Sequence, residues 1–333
     1  MNPPQVSILL PVRNAADTLP QALDSLRRQT LTQFEILLVN DGSTDATPEI
    51  VETYARQDNR IRPFHLPPVG LVSALNHACH HARAPFLARM DADDHCHPER
   101  LARQCQLLAD HPETDVAACR VTYGGDRTQT PGYAAHVDWL NQVITPKDHS
   151  LNRFVESPLA HPSVLWRREV MEAHGSYRDG DFPEDYELWL RWMQAGVRFR
   201  KTPETLFTWN DPPQRLSRTH PQYRTEAFYQ IKCHYLARVL PRDRPIWLWG
   251  AGRQTRRRFA TLDTAPHPFA GYIDIDPRKI GRSLRQKPVI SPDNIPADAF
   301  LLVGVGTRGA RTCIEHHLLT TGRQPARDYF LCA

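Results

Sequence analysis

Arg89-Met90-Asp91-Ala92-Asp93-Asp94 places three carboxylates directly after Phe86-Leu87-Ala88, a short apolar run with the composition of a buried strand. Side chains two residues apart on an extended strand face the same way, so Asp91 and Asp93 are predicted to point together and Asp94 to point away. Converging carboxylates are the ligands that Mg2+ and Mn2+ prefer. The stretch therefore predicts a divalent metal site. The alternative is an acidic loop that caps the helix expected near Pro98.

Strand and helix patterns alternate around this stretch. Apolar runs of strand length stand at 6–12, 34–39, 61–65 and 85–90, and residues 19–29, 48–55 and 71–82 have apolar side chains at helical spacing. The alternation predicts an α/β fold with a mostly parallel sheet and flanking helices on both faces. Ligands of such sheets bind at the carboxyl ends of the strands. We therefore expect one polar rim, made of Pro11, Arg13, Asn14, Asp41, Asp91 and Asp93.

Two later stretches are predicted to flank this rim. Residues 123–154 contain Gly124-Gly125 and Pro131-Gly132, which indicate an irregular surface excursion. Asp181-Phe182-Pro183-Glu184-Asp185 is predicted to open a helix that continues to Met193 and is stopped by Gly196.

The composition indicates a globular protein of two domains. The chain has 333 residues, of which 41% are hydrophobic. Seven cysteines without a Cys-x-x-Cys pair indicate reduced thiols in the cytoplasm, and the His and Cys residues near 79–81 and 95–97 match no zinc spacing. A net charge of +4 does not indicate a nucleic-acid partner. No apolar stretch reaches the roughly 20 residues of a membrane span, so we expect a soluble protein, with peripheral attachment at the inner face of a membrane still compatible.

Five motifs in the first two thirds of the chain resemble those of family 2 glycosyltransferases, which have the GT-A fold. In chain order they are Ser7-Ile8-Leu9-Leu10-Pro11-Val12-Arg13-Asn14, Val39-Asn40-Asp41-Gly42-Ser43-Thr44-Asp45, Arg89 to Asp94, His161-Pro162-Ser163, and Glu184-Asp185-Tyr186-Glu187-Leu188-Trp189-Leu190-Arg191. The resemblance implies that a sugar moves from a nucleoside diphosphate sugar to an acceptor hydroxyl, with inversion at the anomeric carbon. It also implies Mg2+ or Mn2+ as cofactor.

The resemblance assigns the rim residues to the donor. Asp93 would bind the metal directly, and Asp91 would contact the ribose or bind the metal through water. Asp94 would anchor the following turn. Asp41 would recognise the base, with a preference for uracil and hence a UDP-sugar; the alternative is a turn residue that precedes the next helix. The walls of the nucleoside pocket would be Pro11, Arg13 and Asn14.

Asp185 matches the family's general base, and Glu184 is its immediate neighbour. The helix dipole is expected to keep a carboxylate at this helix N-terminus ionised. The alternative is that both acids only occupy the first helical turn.

Further residues are predicted to contact the acceptor or the diphosphate. They are His161, whose alternative is a structural role, Glu184, and the basic loop residues Arg215 and Arg218. Trp189 and Trp192 could form an acceptor platform, although aromatic residues at helical spacing are more often core. Two departures from the family pattern are Asn40 in place of an acid and Leu75 in place of an arginine before Asn76.

The chain is predicted to divide into a GT-A domain at 1–225, a helical linker at 226–244 and a Rossmann-like domain at 245–333. In the last, Gly250 and Gly252 follow a strand, and Asp274 stands 22 positions after Gly252, near the spacing of a ribose-binding acid. Thr255 replaces the third glycine of that fingerprint. The alternatives for this domain are a nucleotide site or a structural role.

The patterns and the resemblance together predict a glycosyltransferase acting on a saccharide or a lipid-linked saccharide, in the synthesis of a surface polysaccharide or glycolipid. Two other functions remain open from the sequence. One is a non-catalytic sensor of nucleotide-sugars, and the other is an NAD(P)-dependent sugar-nucleotide enzyme in the C-terminal domain.

Overall fold

The structure is a computed structural model that describes residues 3–264, 266, 268–307 and 309–333. Two compact units divide the chain. The first consists of Met1–His149 and Leu159–His220, and the second of Ser150–Pro158 and Pro221–Ala333. Among the described residues, no helix has both the length and the apolar character needed to cross a bilayer.

The first unit is built on an eight-stranded sheet with the strand order β3-β2-β1-β4-β7-β6-β8-β5. Strands β3, β2, β1 and β4 are parallel, as predicted. Strand β7 runs antiparallel to both β4 and β6, and β5 runs antiparallel to β8, so the sheet is mixed rather than mostly parallel. The strands are β1 Val6–Val12, β2 Phe34–Asp41, β3 Ile61–Leu66, β4 Phe86–Arg89, β5 His95–Cys96, β6 Val116–Tyr123, β7 Leu165–Arg167 and β8 Phe199–Trp209.

Helices cover both faces of this sheet. They are α1 Leu19–Arg27, α2 Thr47–Gln57, α3 Leu71–His81, α4 Arg100–Asp110, α5 Pro131–Leu140, α6 Pro146–Asn152, α7 Arg168–His174, α8 Glu184–Gln194 and α9 Leu216–Thr219. Residues 123–154 were predicted to be irregular, and this was wrong because the stretch contains α5 and α6. Pro131 stands in the first turn of α5, where its missing N–H breaks no helical hydrogen bond.

The core lies on the two faces of the sheet. Every residue of β1 and β2 is buried. Along β2, Ile36 and Leu38 pack into the core on one face, while Leu37 and Val39 pack on the other. Strands buried on both faces have continuous apolar sequences, which is why β1 and β2 are recognisable as strands from the sequence alone.

A buried ion cluster around Glu35 joins three strands of this sheet. The Glu35 carboxylate accepts hydrogen bonds from Ser7 Oγ at 2.7 Å, Arg62 Nη1 at 2.8 Å and Arg83 Nη2 at 2.8 Å. Burial alone would raise the pKa of Glu35, but these hydrogen bonds outweigh it and hold the pKa below its ordinary value. The ionised carboxylate therefore stabilises the folded state.

We expect Glu35→Gln to lower the free energy of unfolding at pH 7 by about 2 kcal/mol, because it replaces charged hydrogen bonds with neutral ones. A depressed pKa contributes stability above the unfolded-state pKa, and that stability is lost as the pH falls through the folded-state pKa. The difference between wild type and variant should therefore shrink below about pH 4. Urea unfolding at several pH values measures it, with the exposed Glu172→Gln as control. A difference that did not depend on pH would contradict this account.

The second unit contains a six-stranded sheet with the order β11-β12-β10-β9-β13-β14. All its neighbouring strands are parallel except the hairpin of β11 and β12. Its strands are β9 Ile246–Trp249, β10 Phe269–Ile273, β11 Ser283–Leu284, β12 Lys287–Ile290, β13 Phe300–Val303 and β14 Tyr329–Leu331, and its helices are α10 Thr225–Leu236, α11 Arg253–Arg258 and α12 Ala310–Thr320.

The predicted linker, 226–244, lies within this second unit, and so does the segment Ser150–Pro158. Lys232 on α10 is 3% exposed. Its Nζ donates to Val155 O at 2.9 Å and to Cys332 O at 2.9 Å. These contacts pack α10 against distant parts of the chain, which a linker sequence by itself does not indicate.

Candidate active site

The three acids of the opening stretch lie in a turn rather than on a strand. Strand β4 ends at Arg89, and the ligand atoms of Asp91, Asp93 and Asp94 all lie within 4.8 Å of one another. The prediction that Asp94 points away was therefore wrong. Strand alternation applies only while the chain is extended, and the turn after Arg89 brings all three carboxylates to one place.

This acidic turn, which contains Asp91, Asp93 and Asp94, brings three carboxylates close together. Burial and the Asp91 carboxylate raise the pKa of Asp93 to about 6. Burial, Asp91 and Asp93 raise the pKa of Asp94 well above its ordinary value. The Asp94 Oδ1 atom accepts a hydrogen bond from Asn210 N at 2.7 Å, whereas its buried Oδ2 has no hydrogen-bond partner. Crowded, partly unpaired oxygen ligands of this kind fit a divalent cation.

Two arginines hold the chain that leads into the acidic turn. Arg89 is 1% exposed, and its Nη2 donates to Asp91 Oδ1 at 2.5 Å. Arg100, on α4, is fully buried and donates through Nη2 to Arg89 O at 2.8 Å and to Val164 O at 3.2 Å. The position of Asp91 is thus fixed by side chains from β4 and α4.

Asp41 and the other predicted nucleoside residues stand at the carboxyl ends of β1 and β2. Asp41 is 4% exposed, and its Oδ1 accepts hydrogen bonds from Val69 N at 2.7 Å and from Gly70 N at 3.1 Å. Arg13 Nη1 lies 3.8 Å from Asp41 Oδ2. A carboxylate has about four lone-pair positions, so these contacts leave room for one donor from a base.

Pro11 and Asn14 occupy the neighbouring end of β1. Pro11 is buried in the strand. The Asn14 side chain is engaged by the turn after β2, since its Oδ1 accepts from Thr44 N at 2.8 Å. Asn14 itself has a positive φ of 49°, which asparagine tolerates better than most residues. The structure therefore brings Pro11, Arg13, Asn14 and Asp41 together, with the Asn14 side chain bonded to the protein.

Asp185 lies in the first turn of α8, next to the buried Glu184. Burial, followed by the charge of Glu184, raises the pKa of Asp185 to about 7. The prediction that the helix dipole keeps this carboxylate ionised was therefore wrong. Desolvation and a like charge next to it exceed the effect of the helix N-terminus.

His161 is buried behind these acids, in a short 3-10 turn. Its Nε2 lies 2.7 Å from Tyr177 Oη, and its Nδ1 lies 3.8 Å from Glu184 Oε1. Burial and the charges of Arg89 and Arg215 lower the pKa of His161 well below its ordinary value, so the ring is neutral. Asn76 follows Leu75, which stands where the family pattern has an arginine. Its Nδ2 donates to Tyr177 O at 3.0 Å.

Arg215 acts on three acids of the site. Its positive charge opposes the raised pKa of Asp93, Asp94 and Asp185. The guanidinium stacks over the Trp209 ring, 4.3 Å from the ring centroid. Arg215 Nη1 also lies 4.0 Å from Asp211 Oδ1. Arg218 pairs with the same Asp211 carboxylate, and its guanidinium lies over the Tyr133 ring. The basic loop predicted from the sequence therefore contributes one arginine to the acidic site.

Trp189 and Trp192 do not form an acceptor platform. Both are fully buried and pack against each other, with ring centroids 5.7 Å apart. Their place on α8 makes them core residues, as the alternative prediction held.

A family model described as "Glycosyl transferase family 2" matches residues 7–175, which is half of the chain. The chain belongs to glycosyl transferase family 2. The putative glycosyltransferase EpsH of Bacillus subtilis is 35% identical over 177 residues, which cover 52% of this chain and 50% of EpsH. The match thus spans half the length of that relative.

Two further relatives are matched over more of their length. The uncharacterized glycosyltransferase EpsJ of Bacillus subtilis is 30% identical, and the match covers 71% of this chain and 69% of EpsJ. The amylovoran biosynthesis glycosyltransferase AmsE of Erwinia amylovora is 29% identical over 60% of this chain and 74% of AmsE.

Two solved structures share the fold of this chain. The S. aureus TarS fragment 1–349 in complex with UDP-GlcNAc matches with a TM-score of 0.56 and 18% identity, over 72% of this chain and 67% of that one. The mannosyltransferase PcManGT of Pyrobaculum calidifontis, in complex with GDP-Man and Mn2+, matches with a TM-score of 0.52 and 20% identity, over 71% of this chain and 63% of that one. At sequence identities of 18% and 20%, the similarity shows a shared fold and no more.

Two residues that directly follow β8 belong to the site although they were not predicted from the sequence. Asn210 binds the acidic turn, because its backbone N donates to Asp94 and its Nδ2 donates to Asp93 O at 2.6 Å. Asp211 binds Arg218 and the Tyr123 hydroxyl. The sequence contains a signal for them, namely polar residues that follow an apolar run of strand type. Asn210-Asp211 comes shortly after Leu206-Phe207, just as the acidic turn comes after β4.

In the second unit, Gly250, Gly252 and Asp274 come together at the ends of β9 and β10. Gly250 has a positive φ of 120°, where a side chain would be strained. The Asp274 carboxylate is already engaged, since Oδ2 accepts from Ala251 N at 3.1 Å and from Lys279 Nζ at 2.9 Å. A nucleotide site here stays a prediction.

Proposed function

We propose that the chain is a metal-dependent inverting glycosyltransferase that transfers a sugar from a nucleoside diphosphate sugar to an acceptor hydroxyl. The observation that carries the proposal is the placement of Arg215, whose charge acts on the acidic turn and on Asp185 alike. Such a site has three parts. The acidic turn supplies oxygen ligands for a metal ion, Arg215 supplies a positive charge for an anionic leaving group, and Asp185 supplies a carboxylate with a raised pKa.

On this proposal the donor lies across the carboxyl ends of β2, β1 and β4. Asp41 accepts a hydrogen bond from the imino N–H of uracil, and Asp91 would contact the ribose or hold the metal through water. Asp93 is the direct ligand of Mg2+ or Mn2+. When bound, the metal supplies positive charge that stabilises the departing diphosphate. A UDP-sugar is the expected donor because Asp41 matches the base-recognising acid of the family.

Asp185 is proposed as the general base. The acceptor oxygen attacks the anomeric carbon from the face opposite the diphosphate, and the bond between that carbon and the diphosphate oxygen breaks. The acceptor proton moves to an oxygen of the Asp185 carboxylate. A base with a pKa of about 7 is well matched to this task near neutral pH. The acceptor is expected to be a saccharide or lipid-linked saccharide, supported by the relative AmsE, which is named for amylovoran biosynthesis.

Asp211 is proposed to hold the loop that presents Arg215 to the diphosphate. Its side chain is 1% exposed, and its carboxylate is bound by Arg218 and by the Tyr123 hydroxyl from β6. These bonds outweigh the effect of burial and keep the pKa of Asp211 below its ordinary value. The carboxylate is therefore an ionised anchor for the segment that contains α9.

We expect Asp211→Asn to raise the Kd for UDP with Mn2+ about tenfold, because the loop loses its charged anchor and Arg215 its fixed position. Calorimetric titration of the full chain measures the change. The control is Asp138→Asn. It removes an exposed carboxylate on α5 that is paired with Arg127. An unchanged Kd for Asp211→Asn would show that the loop is positioned without this anchor.

The proposed function is tested by a thermal-shift screen of nucleoside diphosphate sugars with MnCl2, followed by a transfer and hydrolysis assay of the donors that bind. A ligand that binds only the folded state raises the melting temperature. The expected result is stabilisation by one nucleotide class and slow, Mn2+-dependent release of its sugar. Binding with no turnover under any condition would favour a nucleotide-sugar sensor instead.

A further inference from the structure

Glu184 and Asp185 are adjacent in sequence but have different surroundings. Glu184 is 3% exposed, and its carboxylate faces His161. Asp185 is only partly buried, and its Oδ1 accepts a hydrogen bond from Tyr186 N at 2.7 Å. Only one of the two acids is therefore placed to meet a substrate.

The groups behind Glu184 form a buried row of neighbouring side chains. His161 Nε2 and Tyr177 Oη are 2.7 Å apart, and both side chains are buried. Burial raises the pKa of Tyr177 well above its ordinary value, so its hydroxyl keeps its proton and is available to donate a hydrogen bond to His161 Nε2. In the tautomer that accepts this bond, the neutral imidazole carries its proton on Nδ1, which lies 3.8 Å from Glu184 Oε1.

Arg89 connects this chain to the donor side of the site. Its guanidinium binds Asp91 Oδ1 at 2.5 Å. Burial would lower the pKa of Arg89, but the charge and hydrogen bond of Asp91, together with the acidic groups Tyr177 and Glu184, more than compensate, which keeps the guanidinium positively charged. One buried arginine thus lies between Asp91 and Glu184.

Resting on the proposed function of Asp185, we infer that Glu184 is a positioning residue that, buried against His161 and Tyr177, places a negative charge beside the base. Glu184 then contacts neither the acceptor nor the diphosphate, contrary to the expectation from the sequence. Its charge makes the neighbouring carboxylate a stronger base at neutral pH. The groups that act on Asp185 in this arrangement are Glu184, the Tyr186 backbone N–H and Arg215.

The inference predicts a particular response to Glu184→Gln. The acid limb of the pH profile of kcat should move to lower pH by about one unit, because the like charge is removed. At pH 7.5 kcat should fall about threefold through the weaker base, while the Kd for UDP with Mn2+ stays within about twofold of wild type. Glu184→Asp, which keeps the charge, should retain the wild-type acid limb. The matched control is Asp181→Asn, an exposed acid three residues before Glu184.

A second measurement needs no activity and so separates this inference from the proposed function. A carboxyl group with a raised pKa stabilises the fold below its unfolded-state pKa, and this stability is lost as the pH rises through the folded-state pKa. The melting temperature of wild type relative to Asp185→Asn should therefore fall between about pH 4 and pH 7. In the Glu184→Gln background, the melting-temperature difference that Asp185→Asn causes should stop changing at a lower pH.

The inference would be overturned if the melting-temperature difference stopped changing at the same pH with Glu184 present and in Glu184→Gln. It would also be overturned if the acid limb of kcat lay at the same pH in Glu184→Gln and in wild type. If no donor is turned over, the proposed function fails while the melting comparison still decides the role of Glu184. A large rise in the Kd for UDP in Glu184→Gln would also overturn it, because Glu184 would then belong to the donor site.

Discussion

Asp185→Asn is expected to reduce kcat for sugar transfer about 1,000-fold, because an amide cannot accept the proton of the acceptor hydroxyl. The substitution keeps the size of the side chain, and the metal site and nucleoside pocket lie on other elements. The Kd for UDP with Mn2+ should therefore stay within about twofold of wild type. Turnover with the donor identified by the screen and calorimetry with UDP measure the two quantities separately.

The pH dependence of wild type gives the same residue a second test. Because the base must be deprotonated and the pKa of Asp185 is about 7, kcat/KM should fall as the pH drops below 7 and level off above it. Asp185→Asn should lose this acid limb. An Asp185→Asn protein with turnover within about tenfold of wild type, or with an unchanged acid limb, would place the base elsewhere.

Asp93→Asn is expected to reduce metal-dependent turnover by about 100-fold or more, since the proposed direct ligand loses its charge. The apparent Kd for Mn2+ in the presence of UDP should rise to a similar degree. Asp110→Asn, at the exposed end of α4, removes the same charge outside the site and should behave like wild type.

The pattern across the acidic turn distinguishes a metal ligand from a merely structural acid. If Asp93 binds the metal, higher MnCl2 concentrations should restore part of the turnover of Asp93→Asn, while the melting temperature without metal should not fall. Relief of charge crowding should even raise that temperature, because Asp93 and Asp91 repel each other in the folded state. Full turnover with unchanged dependence on Mn2+ would contradict the metal role of Asp93.

The sequence was informative wherever local pattern and structure coincide. The apolar runs of β1 and β2 are visible because both faces of those strands are buried. The rule that ligands bind at the carboxyl ends of strands then brought Asp41, Arg13 and the acidic turn to one rim, and the structure has them there. The family follows from the same motifs in chain order, and the match over residues 7–175 shows it.

The sequence misled wherever the outcome depended on long-range packing. The antiparallel direction of β7 arises from its pairing with β4 and β6, which are distant in sequence. The second unit includes Ser150–Pro158 because Lys232 and other residues of α10 pack against that segment. Helices α5 and α6 were missed because glycines and prolines suggested an irregular stretch.

The sequence by itself determined the α/β class, the positions of the main acids and the family. Only the tertiary structure decided how those acids differ, because the pKa of a carboxyl group depends on its burial and on the charges around it rather than on its neighbours in the chain. Asp94 joins the acidic turn because the strand ends at Arg89. Asp185 gains a raised pKa because the fold partly buries it beside Glu184, and Arg215 faces these acids from a loop more than a hundred residues after the acidic turn.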